Sequence, residues 1–393
     1  MVFGAMIRSA SPAFMFSLIA FGTILGIAGT DLVLPAVPEM PHELGGTPAL
    51  AQMVLAAYAA GTLVGLLTFG ELGARYSPRR LLIWSLTLFA FTSILAAFAP
   101  TLEWLVAFRF AQGAFGSGPA VFAPGFIQGL FTGDKAVGMF GRLGSIESLT
   151  PALAPVAGAL LLGMGGWETS FLALGAFAIF CAIACVVYSR SLPDRTVALE
   201  THRSYLSILR DGVFLRHALS QAFSLAAILI FVFGAPVVMT EIMGGGIEDF
   251  ILLQICGIAI FILASNLSST LASKFGIERM IYLGTGVLLT AFLLILAYVQ
   301  FGGSSLAVIV PIWAITNGAF GLRGPIGFHQ AIVASKGDHS RGAALVVAGI
   351  LGFTAAGTAI AAPFLDLGWW PLALASCLSA ALASLCLAVF PEG

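Results

Sequence analysis

Charge is scarce in this chain. Of 393 residues, 9% are charged and 59% hydrophobic, whereas soluble domains carry roughly a quarter charged residues. A water-soluble globule is excluded; the composition is that of an integral membrane protein. With 17 basic and 18 acidic residues the net charge is −1, and no basic face is available to nucleic acid. Cysteine is equally sparse. Cys181, Cys185, Cys256, Cys377 and Cys386 all fall in apolar runs, where they act as small hydrophobes. That leaves neither a disulfide framework nor a zinc site, and Cys181 and Cys185, one helical turn apart, have too few ligand-type neighbours. No G-x-x-x-x-G-K-[ST] loop occurs, so ATP is not the expected energy source. No paired nucleophile and base, and no metal cluster, lies inside the apolar segments, so neither an enzyme nor a cofactor or metal is expected. The 32 Phe residues form no readable aromatic cage.

What the chain has is long hydrophobic stretches. A spanning helix needs roughly 20 apolar residues, and twelve such segments are predicted, at 12–37, 49–70, 81–98, 103–131, 138–163, 168–189, 214–240, 247–272, 279–300, 304–331, 341–364 and 369–390. The first has no small-residue cleavage site and reads as a retained span. Backbone facing lipid must satisfy its own hydrogen bonds, so these segments are helices, and a β-barrel would show short alternating strands instead. Placing the N-terminus in the cytoplasm puts Arg8, Arg75, Arg79, Arg80, Lys135, Arg142, Arg190, Arg195, Arg203, Arg210, Arg216, Lys274, Arg279, Lys336 and Arg341 in or beside cytoplasmic loops. The other side holds Glu39, Glu43, Glu103, Glu168, Glu241, Glu248, Asp249 and Asp366 and no Lys or Arg. By the positive-inside rule both termini are cytoplasmic. Only Arg109 and Arg323 fall in the interior of spans, away from the loop-flanking ends.

The one extended polar stretch, about 189–216, reads as a linker. It divides the chain into 1–190, a linker at 191–213, and 214–393, with six spans on each side. The two sides echo one another: Gly70 to Arg80 with Ser269 to Arg279, Gln112 to Gly116 with Asn317 to Gly321, and Gly133–Asp134 with Gly337–Asp338, at offsets of 199 to 205 residues. Such duplication marks a transporter whose site lies between repeats near the midplane. The third, sixth, ninth and twelfth spans have no Asp, Glu, Lys, Arg or His in their centres, which places them outermost, against lipid.

Three motifs carry a family resemblance: Thr30, Asp31, Pro35 and Pro38 at the end of the first span; Arg109, Gln112 and Gly113 in the fourth; Ala154, Pro155 and Gly158 in the fifth. With these, the chain resembles the major facilitator superfamily along essentially its whole length, and in particular the twelve-helix drug:proton antiporters of the Bcr/CflA kind. The resemblance implies an all-α fold of two pseudo-symmetric six-helix bundles. The loop after the second span keeps the family's Gly70, Leu72, Arg75 and Arg79. It departs at Ala74, Ser77 and Pro78, where the family has Asp, Gly and a basic residue. The resemblance assigns gating to that loop (Gly70, Arg75, Arg79, Arg80), and the missing Asp removes a latch that family members use. The same cations also serve as a topogenic signal.

Within this frame individual residues acquire roles. Asp31, a carboxylate in a span, costs several kcal/mol to insert and is retained mainly for function. Burial favours its neutral form and a nearby cation its charged form, the conflict a proton switch needs; snorkelling or capping near the outer interface is the other use of such a residue. Arg109 shares a helix face with Gln112, Gly113 and Gly116, fitting a cavity-lining stripe in which Arg109 pairs with Asp31, for proton movement or as a structural ion pair. Glu147 stands on one face with Pro151, Pro155 and Gly158; the resemblance makes the prolines and glycine a bending and packing device. Glu147 is a second protonatable group or a solvated one. Arg323 is the most individual feature: facing a cavity it favours an anionic or zwitterionic substrate, and near the interface it would snorkel. His329 lies nearer the interface. Gln221, Asn266 and Asn317 are candidate cavity hydrogen-bonders or helix-to-helix ties.

The expected protein is a monomeric, proton-coupled exporter of small amphipathic molecules in a bacterial inner membrane. Proton coupling falls to Asp31, Arg109 and Glu147, and substrate contact to Gln112, Gln221, Asn317 and Arg323. Uptake or exchange of a small organic anion through Arg109 and Arg323 is the alternative on the same fold, and a non-transporting receptor or lipid-handling protein the alternative from another class.

Overall fold

The computed structural model describes residues 10–37, 39–193, 204–239, 243 and 247–392. Arg8, Pro38, Arg195, Arg203, Glu241 and the middle of the expected linker (194–203) lie outside the described residues, as does the side chain of Glu248. Among those described, regular structure is helical throughout: α1 (Pro12–Asp31), α2 (Met40–Leu44), α3 (Pro48–Arg75), α4 (Pro78–Ala97), α5 (Leu102–Gly116), α6 (Gly118–Leu130), α7 (Asp134–Gly165), α8 (Glu168–Val187), α9 (Tyr205–Leu209), α10 (Gly212–Val237), α11 (Ile247–Phe275), α12 (Ile277–Gln300), α13 (Leu306–Ala334), α14 (His339–Ala361) and α15 (Trp370–Val389).

Helix starts are written in the sequence. Ser11, Thr47 and Ser77 cap α1, α3 and α4 by accepting from the backbone N–H groups of Phe14, Leu50 and Arg80. Asp211 accepts from Val213 and Phe214 at the start of α10. Each cap satisfies donors that a helix cannot satisfy itself. Ser77 and Pro78, two of the three departures from the loop pattern, thereby acquire a local reason: they are the N-cap and first-turn proline of α4, the residue types preferred at those positions.

Ten helices among the described residues are long and apolar enough to cross a membrane, and a bent pair, Asp134–Pro151 with Leu153–Gly165, makes an eleventh. The remaining expected span, 103–131, is α5 followed by α6, of 15 and 13 residues, meeting at Ser117. Neither alone has the length of a span. The 43° bend in α7 lies at the prolines expected to bend it.

The chain forms two compact units. The first comprises Met1–Phe131, Ile146–His202 and Asp338–Ala344; the second comprises Thr132–Ser145, Arg203–Gly337 and Leu345–Gly393. Within the first, α3 packs along α5, α4 on α5 and α8, and α1 on α6 and α8. Within the second, α11 packs along α13, α12 on α13 and α15, and α10 on α15. Numbered as spans, the pairings are the same in both: second with fourth, third with fourth and sixth, first with sixth. The internal repeat is therefore one of packing as well as of sequence. The core of the second unit is aromatic, with Phe231 stacked on Trp313 and Trp369 at centroid distances of 5.0 and 5.3 Å.

Candidate functional site

In the first unit, α3 and α5 touch backbone to backbone. A Cβ at Gly61, Gly65 or Gly113 would strike the carbonyl of Phe110, Ala114 or Tyr58, so small residues here permit the close approach that membrane helices use in place of a hydrophobic driving force. Gly113 and Gly116 thus belong to helix packing, and with Arg109 and Gln112, both 0% exposed, they form a buried seam where an open cavity lining was expected.

Arg109 is held by acceptors from three helices. Its Nη1 donates to the Gly29 carbonyl of α1 at 2.8 Å and to Gln112 Oε1 at 2.7 Å, and its Nε donates to the Val54 carbonyl of α3 at 3.2 Å. The guanidinium carbon lies 4.2 Å from the Tyr58 ring centroid, within cation–π range. Gln112 passes the chain on, donating from Nε2 to Ser93 Oγ at 2.6 Å. The expected ion pair with Asp31 is not made. The physical reason is the end of α1: the last carbonyls of a helix have no intrahelical partner and in a membrane cannot be left bare. Ala28 and Thr30 receive the N–H groups of Leu32 and Val33, Gly29 receives Arg109, and the Leu32 carbonyl receives the Ser170 hydroxyl of α8 at 3.3 Å. Arg109 is a capping cation at a helix C-terminus, where the dipole favours positive charge.

Asp31 is the last residue of α1 and half-buried. An acid at that end is electrostatically disfavoured, and the last turn carries no basic residue of its own; the nearest compensation is Arg109, bonded two residues back. Glu147, also half-buried, reaches the Thr23 hydroxyl of α1. Asp31 on α1 and Glu147 against Thr23 of the same helix are therefore eight residues apart along it, about 12 Å at helical rise. Gly158 completes the arrangement, since a Cβ there would strike the Leu32 carbonyl. The fifth-span motif and the end of α1 are in backbone contact.

The loop after α3 is ordered by charge. Arg75 pairs with Glu71 at 2.5 Å, Arg79 donates to the Leu192 carbonyl at 2.8 Å, Arg80 is exposed and Gly70 buried. Glu71 also receives Arg341 Nε at 2.8 Å, and Arg341 Nη1 reaches Asp338 at 2.7 Å. Ala74 supplies no carboxylate, and Glu71 supplies it from one helical turn earlier. Sequence reasoning passed over Glu71, Asp338 and Arg341. The signal was present in Glu71 beside the motif glycine and in the repeated Gly–Asp pair.

In the second unit Arg323 on α13 is 0% exposed and does not snorkel. Its Nη1 donates to the Ser220 carbonyl at 2.9 Å and to the Ser224 hydroxyl, both on α10. Gln221, buried, lies beside it across Gly327. Asn317 donates to the Trp313 carbonyl at 2.9 Å in its own helix, and Asn266 to Ser145 at 3.1 Å. His329 sits edge-on to Phe140, half-buried. Of the four residues expected to touch substrate, Gln112 lies in the first unit, Gln221 and Arg323 lie together in the second, and Asn317 stands nearly two helical turns before Arg323 along α13.

The Major Facilitator Superfamily description matches residues 19–361 of the chain. Among relatives, an uncharacterized MFS-type transporter YdgK of Bacillus subtilis is 30% identical over 63% of this chain and 63% of its own length. A bicyclomycin resistance protein homolog of Haemophilus influenzae is 22% identical over 66% of each. The chain thus spans a little under two thirds of the length of these relatives. Among solved structures, the transporter FucP in its outward conformation superposes with a TM-score of 0.76 over 98% of this chain and 100% of that one, at 15% identity, a likeness of fold.

Proposed function

The chain belongs to the Major Facilitator Superfamily, and from that premise we propose that it is a secondary transporter exporting small amphipathic molecules in exchange for protons, by alternating access of its two six-helix halves (1–190 and 214–393, joined by 191–213). It works as a monomer in a bacterial inner membrane, with both termini cytoplasmic. The reading as a carrier and not an enzyme follows the family, and the resistance named for the Haemophilus relative supports drug-like cargo.

The observation that carries proton coupling is the built end of α1. Asp31 is half-buried at the last position of α1, a helix terminus whose carbonyls are tied by Arg109 and Ser170. Any shift of α1 relative to α5 and α8 changes the distance from Asp31 to a fixed cation, and so changes which protonation state is favoured. Glu147, eight residues back along α1 at Thr23, is a second stop for the same proton. Protonation from the acidic outside releases cargo there; loss of the proton to the cytoplasm resets binding. The Glu71–Arg341–Asp338 network supports a gate at the end of α3 in place of the missing loop aspartate.

Proteoliposomes supplied with external bicyclomycin test the reading. With an acidic lumen and alkaline exterior, an antiporter accumulates the drug as protons leave, whatever its orientation in the bilayer. Accumulation driven only by protons moving with the cargo would instead establish uptake, and equal-pH exchange of the drug that persists while its flux ignores the gradient would remove proton coupling altogether.

A further inference from the structure

Among the described residues no acid pairs with the buried cation Arg323. Its Nε–H and Nη2–H groups find no hydrogen-bond partner among the described residues, although Nη1 is fully engaged by α10. In a planar guanidinium Nε and Nη2 share one edge, and that edge matches the two oxygens of a carboxylate. Two glycines make room for it: a Cβ at Gly284 of α12 would strike the Arg323 side-chain stem, and one at Gly327 would strike Nη2 and Gln221 Oε1. Opposite lies a buried polar stripe on α10, His217, Ser220, Gln221 and Ser224, spaced i, i+3, i+4, i+7 on one helix face. Three of its polar atoms, His217 Nδ1, Ser220 Oγ and Gln221 Oε1, also lack partners.

A polar stripe and a cation costly to keep within a membrane, with their hydrogen bonds incomplete, point to a ligand group that completes them. We propose that the cargo of this carrier bears a single carboxylate on an otherwise apolar body, and that the Nε–Nη2 edge of Arg323 grips it side-on. One free edge and no second unpaired cation beside it suit a monoanion. A phosphate dianion would bring a further charge and oxygen with nothing to meet them. Buried apolar residues of the same two helices, Ala218 and Ala222 on α10 and Ile326 on α13, receive the apolar remainder once those helices separate. The edge is enclosed here, so cargo gains it when a local bend of α10 away from α13 within the second half accompanies the alternation of the two halves. This assignment rests on the carrier reading above and adds the class of substrate to it.

The test uses purified full-length protein in lipid nanodiscs and matched probes: benzoate, 1-naphthoate and octanoate, each against its neutral amide. At least one acid is expected to bind roughly 10- to 100-fold more tightly than its amide, the value of charge-assisted hydrogen bonds. Arg323→Gln should erase that preference, with the variant's size-exclusion profile and thermal transition reporting an intact fold. Should Arg323→Gln not fold, Gly327→Ala is expected to erase it with the charge retained, by filling the space beside Nη2. The proposal is overturned if no acid is preferred by the wild type, if acid and amide affinities fall together, or if the preference survives Gly327→Ala and Arg323→Gln. An Arg323-dependent acid preference without gradient-driven flux would sink proton exchange alone; gradient-driven bicyclomycin flux without the preference would sink this assignment alone.

Discussion

Replacing Arg109 by Met keeps an unbranched apolar stem and removes every hydrogen bond the guanidinium makes. Two acceptors then lose their side-chain donor: the Gly29 carbonyl at the frayed end of α1 and Gln112 Oε1. The Val54 carbonyl lies inside α3 and keeps its helical partner. A buried acceptor left bare costs about 1–3 kcal/mol, whereas interhelical hydrogen bonds in membranes average about 0.6 kcal/mol. The unpartnered Nη2 of Arg109 acts in the opposite sense, because its removal relieves a buried donor. A loss of about 1–4 kcal/mol is therefore expected on unfolding in mixed sodium dodecyl sulfate and maltoside micelles. Arg109→Lys, with one point charge in place of a fork, should fall between Met and wild type. A Met variant within about 0.5 kcal/mol of wild type would refute the view that Arg109 caps α1.

Gly158→Ala places a methyl against the Leu32 carbonyl and should cost about 1–3 kcal/mol by overpacking; gradient-driven flux should fall with it, and a neutral effect on both would show that α7 and the end of α1 are not in register as described. Glu71→Gln and Arg341→Gln should each lower stability modestly. Because Glu71 is a third exposed, the double-mutant coupling is expected at about 0.5–1 kcal/mol, and strict additivity would dissolve the ion pair.

Fold class was legible because a chain with so few charges has only one way to satisfy its backbone in lipid. The bend in α7 was legible from Pro151 and Pro155. The division of the fourth span at Ser117 was not, since averaged hydropathy passes smoothly across a break between two short helices. Arg109 was read as a partner for Asp31 because sequence shows charges and hides orphan carbonyls; the Gly29 carbonyl, invisible in the sequence, took the guanidinium. Arg323 was singled out as the individual feature of its span, but its orientation toward Ser220 and Ser224 depended on which face α10 presents. Glu71 was missed for a simpler reason: attention to the absent carboxylate at Ala74 concealed a present one three residues earlier.

The most direct measurement compares two fluxes in proteoliposomes carrying Asp31→Asn: accumulation driven by a pH gradient, and exchange of labelled for unlabelled bicyclomycin at equal pH. Loss of the first with survival of the second is the predicted result, because exchange needs only the carrier's two cargo-bound orientations. Full gradient-driven accumulation by the Asn protein, and by the same protein carrying Glu147→Gln, would contradict a proton cycle built on the flanks of α1.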